Sequence, residues 1–239
     1  MSRLIVNADD FGFSTSINKA VIDSLETGIV NSASLMTNTP GFREAAELAK
    51  EKGFADRIGV HINLTEGKPV SNFNHARYLT EDGSWNKTAV MDLRRWNNKK
   101  IRDDFSEEII AQIGAMEKSG MRPSHINSHH HVHTFPALFQ IFLSICRSRG
   151  YKLRIAQTYG SGSYLKSAYR KYLNAVMKRS GINFSDYFET SESYCQRKQN
   201  FKKGLVEIMV HPAPGPGGAI LDITNSENPE LLKIHTSTA

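Results

Sequence analysis

The sequence predicts an α/β protein, an irregular (β/α) barrel. Short apolar runs alternate with amphipathic helical stretches along the chain, the pattern of parallel βαβ units. Polar, metal-capable residues stand where those runs stop: Asp9-Asp10, His61, His125 and His211. In a parallel barrel the C-terminal strand ends share one face, and catalytic groups gather there. No glycine-rich phosphate loop follows any run, which disfavours an open dinucleotide-binding sheet.

Taken in order, Leu4-Ile5-Val6 is a buried strand that runs into the polar loop Asn7-Ala8-Asp9-Asp10-Phe11-Gly12. Ser14 or Ser16 caps the next helix, whose apolar positions include Ile17, Val21, Ile22 and Leu25, and Gly28 closes it. A strand over Ser32 to Met36 precedes Pro40-Gly41 and a helix from about Phe42 to Lys52, ended by Gly53. Ile58-Gly59-Val60 is a strand that stops at His61. The polar stretch from about Asn72 to Lys100, with Gly83, Trp85 and Trp96, is an insertion or lid, since loops of that length are commonly functional. An amphipathic helix presents Phe105, Ile109, Ile113 and Met116 on one face and ends at Gly120. Pro123 to Asn127 is a strand and its end, Leu138 to Gly150 a helix, and Tyr151 to Ala156 a strand. A basic helix spans about Ser167 to Arg179, and Leu205 to Val210 is a buried strand ending at His211-Pro212.

Length and composition suit one domain over residues 1–239. The chain is 39% hydrophobic and 23% charged, an ordinary globular balance that excludes a disordered or fibrous chain. The formal charge is +6, but the basic residues are spread out, with local runs at Arg94-Arg95 and Asn98-Lys99-Lys100. They read as a solvated surface, and without a recognisable binding module no nucleic-acid partner is expected. Cys146 and Cys195 lack metal-binding spacing. No apolar run approaches the roughly 20 residues of a membrane span, and the N-terminal apolar run is too short for a signal peptide. A cytoplasmic protein is expected.

Each candidate functional residue has a bland reading. Adjacent aspartates usually make turns or caps, and a single histidine beside a strand usually bonds backbone. The cluster His125, His129, His130, His131 and His133 lies mid-chain in a well-patterned sequence, so it is no purification tag, and imidazole is the commonest metal ligand near neutral pH. Two histidines and one carboxylate hold a divalent ion and leave positions open for water and substrate. Of an Asp pair, one carboxylate binds metal while its neighbour serves as base, and a histidine across the barrel serves as acid. Arg154 orients this machinery, binds substrate or is simply a surface arginine on a strand.

The motifs that carry these residues resemble the YdjC-like carbohydrate deacetylases. Asn7 to Gly12 is similar to the family's opening motif, Ser34-Leu35-Met36 with Thr37 to Pro40 to the next, and Gly59 to Val70 to another. Pro123 to Pro136, with its histidine cluster, is the most specific match, and Met209 to Ala213 resembles the late motif. The resemblance implies a (β/α) barrel similar to that of NodB-type polysaccharide deacetylases. It implies one divalent ion, Mg2+ or Zn2+, on Asp10, His61 and His125, with His129 a rival ligand. Asp9 matches the general base and His211 the acid. His129, His133 and Arg154 line the pocket or support the ligands. The implied reaction removes the acetyl group from an N-acetylated sugar and releases acetate, and the family suggests a homodimer. The chain departs from the pattern at Asn127, where many members have Asp, and in the tail from Pro214. The competing readings are a metal-dependent phosphoesterase or another metallohydrolase, drawing on the His131-Val132-His133 spacing, and a non-catalytic nucleic-acid-binding protein.

Overall fold

Alternation within each strand decides what meets the helices. The computed structural model describes residues 2–92, 98–160 and 163–225. In β1 (Arg3–Phe11), Val6 and Ala8 alternate with Asn7 and Asp9, and all four are buried. The same rule holds in β2 (Ser32–Leu35), β3 (Ile58–Ile62), β4 (Ile126–Ser128) and β6 (Leu205–Val210). Successive side chains point to opposite faces. One face is aliphatic and joins the core with helix residues such as Val21, Ile109 and Phe142. The other is polar yet equally buried, through Ser34, His61, Asn127 and Glu207.

Six strands make one parallel sheet in the order β4-β3-β2-β1-β6-β5, with β5 at Tyr187–Thr190. The sheet is curled, and single-residue bridges run on from its β4 edge: Leu153 bridges Ile126, and Asn183 bridges Leu153. The 183–190 segment then reaches β6 through β5. The expected strand at Tyr151–Ala156 is thus reduced to one bridge at Leu153. β5 and α7 (Ser191–Arg197) are elements that pattern reading did not separate.

Helices flank the strands. α1 (Thr15–Glu26) is capped by Ser14, whose side chain accepts from the Ile17 N–H, which decides between the two expected caps. α2 is Phe42–Glu51. The segment from residue 72 contains a short α3 (Lys87–Met91) and an aromatic knot. Phe73 packs on Trp85 (4.8 Å) and on Phe105 (4.9 Å) of α4 (Lys99–Lys118). It is anchored to α4, not free. Arg94-Arg95 and Trp96 lie outside the described residues. α5 (Pro136–Arg149) starts with its proline in the first turn, where the missing N–H is not needed. α6 (Tyr164–Arg179) starts one turn earlier than expected. After β6, the hairpin of β7 (Pro212–Pro214) and β8 (Ile220–Asp222) forms a second small sheet.

The expectations about strand ends are corrected: β1 runs on through residues 7–11, expected as a loop, and β3 runs through His61 to Ile62. His125 does not end a strand; it precedes β4. The β3–β4 register pairs Val60 with Ile126, which sets Gly59 beside His125. There the imidazole stacks on Phe184 at 4.0 Å and is fully buried. A Cβ on Gly59 would come within 2.4 Å of the ring, so only glycine leaves room. Gly59→Ala is expected to destabilise the fold by about 1–3 kcal/mol through overpacking. Urea unfolding checks this, and an unchanged midpoint would contradict the packing described.

Candidate active site

Two consecutive carboxylates in a regular strand should face opposite sides. They do not here, because β1 slips register against β2 between Ala8 and Phe11, as a bulge does. Asp10 takes a left-handed backbone, φ 63°, a conformation that aspartate tolerates better than most residues. Asp9 therefore stays inside the sheet while Asp10 is re-aimed at the strand ends. Local strain of this kind concentrates at functional sites.

Asp10 gathers three histidines. His61 Nε2 lies 3.2 Å and His129 Nδ1 3.1 Å from Asp10 Oδ1, and His211 Nε2 lies 4.0 Å from Oδ2. One ligand atom each from Asp10, His61 and His129 falls within a 4.8 Å span. Burial alone would raise the Asp10 carboxyl, but the hydrogen bonds and charges of His129 and His61 hold it far below the usual carboxylate range. Burial likewise depresses His129, and Asp10 with Glu66 outweighs it, so His129 is raised overall. Glu66 Oε1 stands 3.4 Å from His129 Nε2, on the far side of the ring from Asp10.

The rest of the histidine run diverges, because His130 and His131 are both left-handed (φ 52° and 54°). His130 Nε2 accepts from Lys87 Nζ at 2.8 Å, and its Nδ1 lies 2.8 Å from Thr65 Oγ1. Burial and the charges of His129 and Lys87 push it down to about 4. His131 packs edge-on against Phe188 at 5.6 Å, and burial with the Arg154 charge lowers it to about 3. His133 turns inward: Ser128 Oγ lies 2.6 Å from its Nδ1 and accepts its backbone N–H. A cleft of about 590 Å³ opens beside His130 and His131, walled by Phe135, Ile155, Phe188 and part of α6. The pocket-lining histidines are thus His130 and His131, and His133 is a buried support.

Beneath Asp10 lies a charged interior. Arg154, fully buried, donates to both oxygens of Asp9 at 2.6 and 2.7 Å and to Glu207 Oε1 at 2.7 Å. Its guanidinium lies 4.6 Å from the centroid of the Phe188 ring. Asp9 is 1% exposed and also accepts from Asn7 and Ser34. Burial opposes its charge, but Arg154 and then His61 keep Asp9 well below the carboxylate range. Burial raises Glu207. The Asn127 amide links this layer to the ligands. Its oxygen accepts from Arg154 at 2.9 Å, and its nitrogen donates to His61 Nδ1 at 2.7 Å and to the Val60 carbonyl.

The structure thus brings together Asp10, His61, His129 and His211, with Asp9 and Arg154 directly behind them. His125 and His133 stand apart from this group. The tail beyond Pro214 orients His211: Asp222 accepts its backbone N–H at 3.1 Å, and Thr224 Oγ1 lies 3.2 Å from its Nδ1. Sequence reasoning missed Glu66 and Glu207. Glu207 had a signal, as a lone acid inside an aliphatic strand; Asp222 had none.

Replacing Arg154 by Met would leave two buried carboxylates without their cation. Losing one partner of a buried pair costs roughly 3–5 kcal/mol, and a loss of that size is expected in urea unfolding. Adding Glu207→Leu should recover part of it. Additive losses in the double variant would refute the shared-cation arrangement.

Comparison with known proteins places these motifs in a family. The description "YdjC-like protein" matches residues 3–233. A carbohydrate deacetylase of Brevibacillus brevis is 32% identical over 217 residues, covering 88% of this chain and 81% of its own. A chitooligosaccharide deacetylase of Salmonella paratyphi B is also 32% identical, with the same coverage. Among solved structures, an Enterococcus faecalis protein described in connection with cellobiose-phosphate cleavage aligns with a TM-score of 0.68 at 27% identity, over 89% of this chain and 81% of that one. With the matched region running from β1 through the hairpin that orients His211, the chain belongs to the YdjC-like family.

Proposed function

We propose that the chain is a carbohydrate deacetylase that removes the acetyl group from an N-acetylated sugar, releasing acetate, with one divalent ion, Mg2+ or Zn2+. The names of the relatives support the reaction class. The convergence of Asp10, His61 and His129 supports the metal. These residues fit an ion: Asp10 Oδ1 is buried without a hydrogen-bond partner of good geometry, and two imidazoles with one carboxylate leave coordination positions open. In this reading His129 takes the place expected of His125.

When bound, a divalent ion there would polarise the acetamide carbonyl and acidify a water. The chain's own groups do the rest. Asp9 is the proposed base, kept ionised and fixed in orientation by Arg154. To take a proton, one of its oxygens must release a guanidinium bond, so the competing grip of Glu207 on Arg154 tunes its basicity. His211, held by Asp222 and Thr224 across the mouth from His61, is the proposed acid for the departing amine. Asn127 orients His61, and the Glu66 carboxylate lies 3.4 Å from His129 Nε2. A phosphoesterase reading gains nothing from the His131-Val132-His133 spacing, since His133 turns away toward Ser128.

Three further readings belong to this proposal. The bridges through Leu153 and Asn183 support a closed irregular barrel similar to that of NodB-type deacetylases. The bond from Lys87 to His130 supports a lid role for the segment around α3. Cys146 and Cys195 are both free thiols, which suits a reducing, cytoplasmic setting.

Acetate release from a panel of N-acetylated sugars tests the reaction: release should vanish with EDTA and return with Mg2+ or Zn2+. Release unaffected by chelation would sink the metal assignment. Calorimetric titration of metal into variants tests the ligands. His129→Ala should abolish binding, whereas His125→Phe should retain it; the opposite pattern would restore His125. Asn127→Asp replaces the amide N–H from which His61 Nδ1 accepts with a carboxylate, which holds the ring proton on Nδ1 and leaves Nε2 free for an ion. Outer partners of this kind change metal affinity about 10–100-fold, so tighter binding is expected, and weaker binding would show that the amide is the better partner.

A further inference from the structure

The outer face of α6 does not resemble an ordinary solvated helix surface. The helix buries only Leu173 and Met177. On the opposite side, at helical spacing, stand Tyr164, Leu165 and Tyr172, which are 86%, 78% and 58% exposed. Ala168 and Ala175 continue this stripe, and Lys171, Lys178 and Arg179 flank it, all exposed. The helix carries five basic residues and no acidic one. The one ion pair to these flanking cations among the described residues is a loose one from Lys178 to Asp186 at 3.8 Å. Large apolar and aromatic groups facing water, flanked by cations, form the pattern of a helix that lies in a bilayer interface. Tyrosine suits that boundary because its ring is apolar and its hydroxyl polar. No helix among the described residues is long and apolar enough to cross a membrane, so the pattern concerns a surface and not a span.

We propose that α6 docks the protein on an anionic lipid bilayer, and that the cleft it walls receives an N-acetylated sugar carried on a lipid. Lys166, Tyr169 and Arg170 of the same helix line the cleft beside His130 and His131. Docking through the outer stripe therefore sets this cleft, whose His130 packs beside His129 at 3.9 Å, near the lipid headgroups. The substrate class rests on the deacetylase reading, but the docking does not. Charge selects the occupant. The helix has no acidic residue, so a second copy meeting this face would bring more cations and no countercharge. A single convex helix face offers no groove to track a nucleic-acid backbone. An anionic membrane supplies countercharge across the whole face.

Sedimentation of the full chain with phosphatidylglycerol-containing vesicles, and with phosphatidylcholine vesicles as control, tests this directly. Binding to the anionic vesicles, weakened by salt, is expected. The variant Tyr164→Ser/Leu165→Ser/Tyr172→Ser should bind about tenfold or more weakly. Lys178→Gln/Arg179→Gln should lose roughly fivefold per charge. Circular dichroism confirms that each variant is folded, which exposed positions should allow. Absence of vesicle binding by the parent, or full binding by the triple variant, would overturn the proposal. So would a concentration-dependent dimer, or binding to DNA or RNA, that the triple variant abolishes. Vesicle binding without acetate release from any N-acetylated sugar, free or linked to a lipid, would keep the docking and reject the deacetylase reading, whereas release from free sugars alone would reject the lipid-carried substrate. Acetate release without vesicle binding would do the reverse.

Discussion

The guanidinium of Arg154 sits at the centre of the sheet's concave side and serves two carboxylates at once. Burying a cation is expensive unless its hydrogen-bonding capacity is met, and here Asp9, Glu207 and the Asn127 oxygen meet it. Because that interior is charged and not aliphatic, the polar halves of β1, β3, β4 and β6 have a reason to face inward. The position of each follows from the others. Asp9 is fixed by Arg154, Asn127 bridges Arg154 to His61, and His61 faces Asp10. The geometry at the mouth is thereby tied to a charge balance one layer below it.

Much of this was legible in the residues. The alternation of buried runs with amphipathic helices announced a parallel sheet, and Asp10, His61 and His211, singled out from the sequence, do converge in space. The departures have local causes. β4 is only three residues long, with a polar residue at its centre, so neither hydrophobicity nor length marks where it begins. His125 could therefore be mistaken for a strand end. The left-handed backbone at His130 and His131 separates neighbours that sequence spacing would keep together. The register slip that turns Asp10 outward has no composition of its own. β5 is masked because Phe188 faces Arg154 while its neighbours are polar.

The supporting residues come from segments distant in sequence. Glu66 lies after β3, Lys87 in the segment that packs on α4, and Asp222 in the terminal hairpin. Each holds a histidine belonging to another part of the chain. The aromatic knot of Phe73, Trp85 and Phe105 matters in this respect, since it gives Lys87 a rigid base from which to meet His130. The histidine run is divided in the same way, with one ring beside Asp10, two on the cleft and one in the core.

The shared cation also bears on how such a protein can change over generations. A substitution at Asp9, Arg154 or Glu207 alone strands a buried charge, whereas concerted replacement of cation and acid by matched apolar side chains need not. Drift at these positions is consequently epistatic: the first step is penalised and the second is favoured only in its background. A lineage that abandoned catalysis would be expected to lose these residues together, as a linked block.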